Sequence, residues 1–301
     1  MIITPSAITA LNVNYRREFQ AAFTAANSKY QLISTVIPSS TKSNTYGWLG
    51  KFPKMREWIG DRVFNDMKAH SYAITNKDWE ASVAVDRNDI EDDNLGTYTP
   101  LMQEMGYSAA TYPDELVFPL LKAGFTTACY DGQNFFDAEH PVYPNHDGTG
   151  TAALVSNMQA GAGEPWFLLN TSRAIKPIIF QERKKPDFVT HTDPQNSDHV
   201  FKKKEYLYGV DARSDAGFGF WQQAFGSKAA LDQANFNAAY EAMMSLKTDG
   251  GKPLGIMPNL LVTGPANRAA ARKVLKAMTI DGGDSNTNYE AVDLEVCEWL
   301  A

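Results

Sequence analysis

The residues whose types and spacing suit chemistry are few. Asp86, Asp89, Glu91, Asp92 and Asp93 form a dense carboxylate cluster, and carboxylates so placed can hold calcium or magnesium through hard oxygen ligands. The cluster has no central glycine and no glutamate at the closing offset of a calcium-binding loop, and Arg87 lies inside it. It is expected to be a solvated or subunit-contacting charge run. His140, in FDAEHP, stands beside Asp137 and Glu139, a grouping that acid/base or metal chemistry would use. A catalytic histidine needs an orienting partner and a target within hydrogen-bond reach, and His70, His146, His191 and His199 add no HExxH or HxH spacing. His140 is therefore expected to be a structural loop residue. Cys129 and Cys297 are far apart, show no CxxC or Cys/His spacing, and read as two unrelated thiols. There is no GxSxG elbow, P-loop or dinucleotide GxGxxG, and the GFGF run at Gly217 to Phe220 reads as close backbone packing. No catalytic residue, metal or cofactor is expected.

The surviving candidates are contact residues. Trp48, Trp58 and Trp79 lie in a segment too irregular to bury them locally, and large aromatics in that setting anchor protein interfaces. Asp86, Arg87 and Asp89 add charge beside them. Arg268 and Arg272, with Lys273 and Lys276, form a basic helix face that reads as a solvated or intersubunit salt-bridge surface. The chain carries 28 basic and 35 acidic residues, a formal charge of -7, which argues against a broad grip on a phosphate backbone.

The elements that must position these residues follow from periodicity. At 301 residues, 44% hydrophobic and 21% charged, the chain is long enough for one or two cored domains and ordinary in composition, and no apolar run approaches a membrane span. MIITPSAITAL has no basic residue before its apolar part and does not match a secretory signal, which points to cytoplasmic synthesis. Tyr15, Phe19, Ala22 and Phe23 predict an amphipathic helix, followed by a Ser/Thr-rich tether from Ser34 to Thr45. Such a helix is either a mobile arm or a terminal helix docked on its own domain. Trp79, Ala81, Val83 and Val85 alternate with Glu80, Ser82 and Ala84, predicting a strand within Tyr72 to Val85 and a hairpin centred near Asn76 and Lys77. A hairpin standing alone is marginal in water, so a projecting one would find its partners on another subunit.

From Leu95 the period lengthens: Met102, Met105, Ala109, Tyr112, Leu116 and Leu120 predict a long helix, kinked or broken at Pro113 and Pro119 and ending at Gly124. Gly132 to Glu164 reads as a long loop. Strands are predicted at Trp166 to Leu169, Ile175 to Gln181 and Lys203 to Val210, forming one antiparallel sheet under the long helix. Ala234, Ala238, Ala242 and Leu246 predict a helix face, Leu260 to Val262 a buried strand, Ala266 to Met278 a second helix, and Glu290 to Trp299 a final strand.

The stretches YGWLGKFPKMREWIGDR, ITNKDWEASVAVDRNDIEDDNLG, PDELVFPLLKAG, GQNFFDAEHP, KPIIFQERKKP, YGVDARSDAGFGFWQQAFGS and PNLLVTGPANRAAARKVL cover nearly the whole chain. Together they resemble the Mu-like phage major head subunit, the T protein family, similar in turn to capsid proteins of the Hong Kong 97 type. The resemblance implies an α+β Hong Kong 97-like capsid fold. Its expected parts are an N-terminal arm at 1–40, an E-loop region at 41–93, a peripheral domain at 94–226 with a spine helix at 95–124, and an axial domain at 227–301. The implied function is structural: pentamers and hexamers closing into an icosahedral shell around the genome of a Mu-like tailed phage. The implied partners are other copies of the chain, a scaffold/protease, a portal, decoration proteins, and packaged double-stranded DNA met without sequence-specific binding. The implied location is the virion, after synthesis in the bacterial host. Some relatives weld neighbours by Lys to Asn isopeptide bonds; no such residue set can be matched here, so non-covalent holding is expected. Two other classes make distinct predictions. A metal-assisted hydrolase would join the Asp86 to Asp93 cluster with His140 and bind divalent metal. A soluble adaptor would remain a monomer or dimer.

Overall fold

The computed structural model describes residues 4–50, 72–92, 95–193, 197–280 and 282–301. Helix α1 (Pro5–Ala25) begins where the Thr4 hydroxyl accepts the Ala7 N–H at 3.1 Å, with Pro5 in the first turn, where a missing N–H costs nothing. Its buried stripe is Ile8, Leu11, Tyr15 and Phe19. These residues pack on Met102, Met105 and Ala109 and on Phe188 and Tyr208. Of the two readings open for this helix, the structure shows the docked one. The short α2 (Tyr30–Ile33) follows, then β1 (Ser34–Pro38) and β2 (Ser43–Thr45). The expected tether is thus partly strand: β1 runs parallel to β9, from Ser34 opposite Ile178 to Pro38 opposite Glu182. The flanking Ser/Thr residues mask a short β-branched core, Thr35-Val36-Ile37, in the sequence.

The chain returns as β3 (Ala73–Thr75), paired antiparallel with β2, and continues at once into β4 (Lys77–Asp86). The expected hairpin at Asn76 is therefore incorrect. Asn76 is instead the buried step between two sheets: its amide donates to Ser39 Oγ at 3.0 Å and to the Thr41 carbonyl at 2.9 Å, and its Oδ1 accepts from Gln181 at 2.8 Å. The ladder partner of β4 is β10, antiparallel from Lys77 opposite Ser214 to Asp86 opposite Glu205. The predicted alternation holds along β4, with Trp79, Ala81, Val83 and Val85 on the covered side and Asp78, Glu80, Ser82 and Ala84 exposed. Alternation fixes which face is covered, not which strand lies alongside.

After α3 (Arg87–Glu91) comes α4 (Thr99–Ala123), one uninterrupted helix about 37 Å long at 1.5 Å per residue. Pro113 and Pro119 lie inside it, so the predicted break does not occur. Each proline removes a backbone donor, but Val117, Phe118 and Leu121 are fully buried around them and hold the axis in place. Gly106 lets α1 and α4 touch: a Cβ there would lie 2.3 Å from the Phe19 carbonyl oxygen.

The predicted loop after α4 carries only short strands, β5 (His140–Val142), β6 (Ala153–Val155) and β7 (Met158–Gln159). Buried Asn157 ties it down, donating to the carbonyls of Phe135 at 2.8 Å and Ala224 at 3.2 Å. Then follow β8 (Trp166–Leu169), β9 (Ile178–His191), α5 (Asp198–Lys203), β10 (Glu205–Phe218) and β11 (Ala224–Ser227). The last part holds α6 (Gln233–Met244), β12 (Leu260–Thr263), α7 (Arg268–Lys276) and β13 (Asp293–Val296).

Two sheets organise the whole, with orders β1-β9-β10-β4 and β13-β12-β8-β11-β7. The single sheet predicted under the long helix is therefore divided: β9 and β10 lie in the first, while β8 pairs with β11 and β12 in the second. Strands β9 and β10 each run 14 residues; β9 outruns the predicted Ile175 to Gln181 because the charged Glu182 to Lys185, expected in a connection, continues the strand with its side chains mostly exposed. On α6 the buried face is Phe236, Ala239 and Met243, not the alanine series; Ala234 and Ala238 are exposed. Alanine removes too little area from water to outweigh Phe and Met in setting which face turns inward.

Candidate subunit-contact surface

The predicted contact residues sit in two places. Trp79 lies half-buried on β4, its indole N–H donating to the Ser214 carbonyl at 3.1 Å and its ring 6.3 Å from Tyr112. One residue beyond Val85, the last on the same covered face, Asp86 ends β4 and caps α3, accepting the Asn88 N–H at 2.7 Å. Arg87 pairs with Glu91 at 3.0 Å, and Asp89 accepts the Tyr98 phenol. These carboxylates are thus spent on a cap, an ion pair and a phenol hydrogen bond, and do not converge on a common point. Trp48 is half-buried, edge-on to Tyr46 at 5.9 Å and to Phe220 at 5.7 Å. Trp58 and Asp93 lie outside the described residues. Arg268 and Arg272 are exposed on α7, beside the second sheet, and ion-pair with none of the described residues. The structure therefore brings Trp79, Asp86, Arg87 and Asp89 onto one strand-helix unit, and leaves Trp48 and the α7 arginines elsewhere.

Sequence reasoning missed one buried cluster. Among the described residues, Cys129, Asp131 and His140 are the group of ligand-type side chains close enough to share an ion, all within 4.8 Å of one another. Asp131 is its centre: Oδ2 accepts His140 Nδ1–H at 2.7 Å, and Oδ1 accepts the Cys129 thiol and the Gln133 N–H, each at 3.1 Å. The partner of His140 is therefore Asp131, nine residues back, not Asp137 or Glu139. The His140 ring is fully buried and stacks on Trp221, centroids 3.9 Å apart and planes 8° apart, while its Nε2 meets no polar group.

Burial alone would raise the Asp131 carboxyl, but the hydrogen bond and charge of His140, with the thiol and Gln133 bonds, hold it below the ordinary carboxylate value. The Cys129 thiol is pushed far up, first by burial and then by the Asp131 charge, so it is no nucleophile at neutral pH. The thiol also points at a carboxylate rather than at a histidine that could act as its base. The arrangement is a hydrogen-bonded clasp that closes the chain between residues 129 and 140 onto Trp221. A Cys-x-Asp pair and a histidine nine residues on follow no fixed ligand spacing, which is why the sequence did not reveal it.

Two further positions carry no sequence signal. Asp114, buried on α4, accepts the backbone N–H groups of Lys29 (2.9 Å) and Tyr30 and so pins the start of α2. Phe201 on α5 is 82% exposed, the highest value among the large hydrophobic side chains described. No helix among the described residues is long and apolar enough to cross a membrane.

Comparison with known proteins places this arrangement. The family model for the Mu-like prophage major head subunit gpT matches residues 8–300. The chain is 49% identical to the major capsid protein of Escherichia phage Mu, over the full length of both. Among solved structures it is similar to the chain of the bacteriophage JBD30 procapsid, with 54% identity, 99% of this chain and all of that chain covered, and a TM-score of 0.88. It is likewise similar to the chain of the JBD30 capsid decorated with minor capsid protein trimers, at 41% identity, full coverage of both and a TM-score of 0.78.

Proposed function

From its membership of the Mu-like prophage major head subunit family, which makes this chain the major capsid protein of a phage head and a structural protein rather than an enzyme, we propose that its copies close the shell as pentamers and hexamers around the genome. The observation that carries the capsid function is the match from end to end, in sequence and in an α+β fold of the Hong Kong 97 type. Its place is the virion.

The finer assignments are ours. The peripheral domain is the β1-β9-β10-β4 sheet with α4 as spine, and α1 is an arm folded back onto that spine. The E-loop springs from the β2/β3 neck, which in sequence encloses residues 46–72. Tyr72 and Ile74 press that neck onto Gly217 of β10, where a Cβ would lie within 2.8 Å of both side chains. The axial domain is the five-stranded sheet with α6 and α7, and so takes in β7, β8 and β11 as well as residues from 227 on. Trp48, Trp58, Trp79, Asp86, Arg87 and Asp89 serve contacts at the E-loop and peripheral domain, and Arg268 and Arg272 serve contacts of the axial domain. The nearer likeness to a procapsid chain than to a decorated capsid chain supports reading this conformation as the one before maturation. A scaffold/protease, a portal, minor capsid proteins decorating the outside, and packaged DNA met without sequence-specific binding complete the partner set.

Electron microscopy and sedimentation of the expressed chain, alone and with its neighbouring head proteins, test this reading. Shells of uniform diameter or isolated rings are expected. A monomer or dimer under every condition would overturn it.

A further inference from the structure

One end of the β1-β9-β10-β4 sheet carries two charged surfaces of opposite sign, with a strongly exposed aromatic side chain on the basic one. Helix α5 is fixed there by the Ser197 hydroxyl, which accepts the Val200 N–H at 3.2 Å, and by Lys204, which ends the helix in the left-handed conformation at φ 58°. Val200 is the residue that α5 buries. Phe201, Lys202, Lys203 and Lys204 are all exposed, a basic run on a chain of net charge -7. Helix α3 abuts it: the Arg87 N–H donates to the Lys204 carbonyl at 2.8 Å, and Asp86 stands opposite Glu205 in the ladder. From α3 the exposed Glu91 and Asp92 and the half-buried Asp86 and Asp89 present negative charge.

Within one subunit these charges are met mainly by near neighbours on their own helices, Lys202 with Asp198 at 2.6 Å and Arg87 with Glu91 at 3.0 Å, exposed pairs of the i,i+4 kind that contribute little and exchange readily. A basic and an acidic surface side by side are complementary to a second copy of the same chain, since each copy can offer its basic side to the acidic side of another. A head-to-tail contact of this kind makes rings where the rotation closes, and a contact through one surface alone would set like charges together. An exposed aromatic at the join supplies the apolar anchor that such an interface needs.

We propose that α5 of one subunit docks on α3 of a second copy of this chain, with Phe201 as anchor and Lys202 and Lys203 facing Glu91 and Asp92 of the neighbour. The proposal rests on the capsid reading and names the partner of the Asp86 to Asp92 surface. The test is a charge swap in the full chain, followed by shell yield from sedimentation and electron microscopy and by the urea midpoint of the unassembled subunit. K202E/K203E and E91K/D92K should each leave the subunit folded and lower shell yield by about tenfold or more, and the combined four-residue swap should restore shells. Phe201→Ser should lose shells at an unchanged midpoint, which keeps the test decisive if a charge reversal affects folding. Wild-type yield from Phe201→Ser or from either reversal, including normal shells that merely fail to take a decorating protein, would overturn the proposal. So would two folded, defective reversals that the swap does not rescue. If the unaltered chain stays a monomer or dimer, alone and with its neighbouring head proteins, the capsid reading falls; if it assembles and the variants match it, only this inference falls.

Discussion

Replacing Gly106 by alanine sets two effects of opposite sign against each other, and the structure decides between them. In a helix interior alanine is favoured over glycine by roughly 1 kcal/mol, so a permissive site would be stabilised. At Gly106 the new methyl would stand 2.3 Å from the Phe19 carbonyl oxygen and 3.2 Å from Ala22 Cβ. Relief requires α1 and α4 to part by roughly 1 Å, and overpacking of that kind costs about 1–3 kcal/mol, occasionally more. The same movement loosens the contacts of Phe19 with Phe188, at 5.1 Å, and of Tyr15 with Tyr208, at 5.0 Å. With the aromatic contacts loosened as well, the cost falls in the upper part of that range, about 2–3 kcal/mol, and against the roughly 1 kcal/mol gained leaves a net loss of about 1–2 kcal/mol, read as a lower urea midpoint of the unassembled subunit with an unchanged slope. Because the contact is between α1 and α4, the variant should also show faster proteolysis after residues of α1 than elsewhere. A midpoint equal to or above that of the unaltered chain would refute the argument that this glycine is set by helix-to-helix approach.

Two buried carboxyls give opposite dependences on pH. Burial raises Asp114 despite its backbone donors, so the folded state binds its proton more tightly than the unfolded chain, and its contribution falls as pH rises from about 4 through the raised folded value. Asp131 is held low, so its contribution is present above about 4 and is lost as pH falls through its folded value. Urea midpoints between pH 3 and 6 should therefore change slope in opposite senses in Asp114→Asn and Asp131→Asn, and parallel slopes would contradict the assignment. His140→Ala removes a fully buried ring stacked on Trp221 and strands its partner Asp131, and should cost the subunit about 3–5 kcal/mol by thermal or urea unfolding. A loss under 1 kcal/mol would show that the clasp is dispensable.

Much of this fold was readable in the sequence where one face of an element carries large side chains. The alternation in β4 and the first part of the α4 stripe, Met102, Met105 and Ala109, both specify the buried side, because burial of such residues outweighs local preference; further along, the predicted Tyr112, Leu116 and Leu120 are half-buried and the fully buried positions are Val117, Phe118 and Leu121. What failed depends on partners distant in sequence. Nothing near Asn76 says that the chain leaves one sheet and enters another, since the groups that decide it are Gln181 and Ser39. The prolines of α4 were read by local rule, and tertiary burial overrode that rule. Alanines on α6 gave a clear period but too little apolar area to set its orientation. The Cys129, Asp131 and His140 clasp follows no motif because its geometry is made by a turn at Gly132 and by Trp221. Helix α5, at six residues, is too short for any period, and so the exposure of Phe201 could not be foreseen.

The strand order of the β1-β9-β10-β4 sheet also has a consequence for synthesis. Residues 34–38 wait for 178–182, and residues 77–86 wait for 205–214, before either finds its ladder. Both are long-range closures of high contact order, slow to form and impossible while the later strands are still inside the ribosome. A nascent subunit therefore lacks the sheet that carries α3 and α5 until some two-thirds of its length has emerged. Neighbouring chains on one message are unable to dock through that sheet until late in translation, so shell growth draws on subunits that are finished or nearly so.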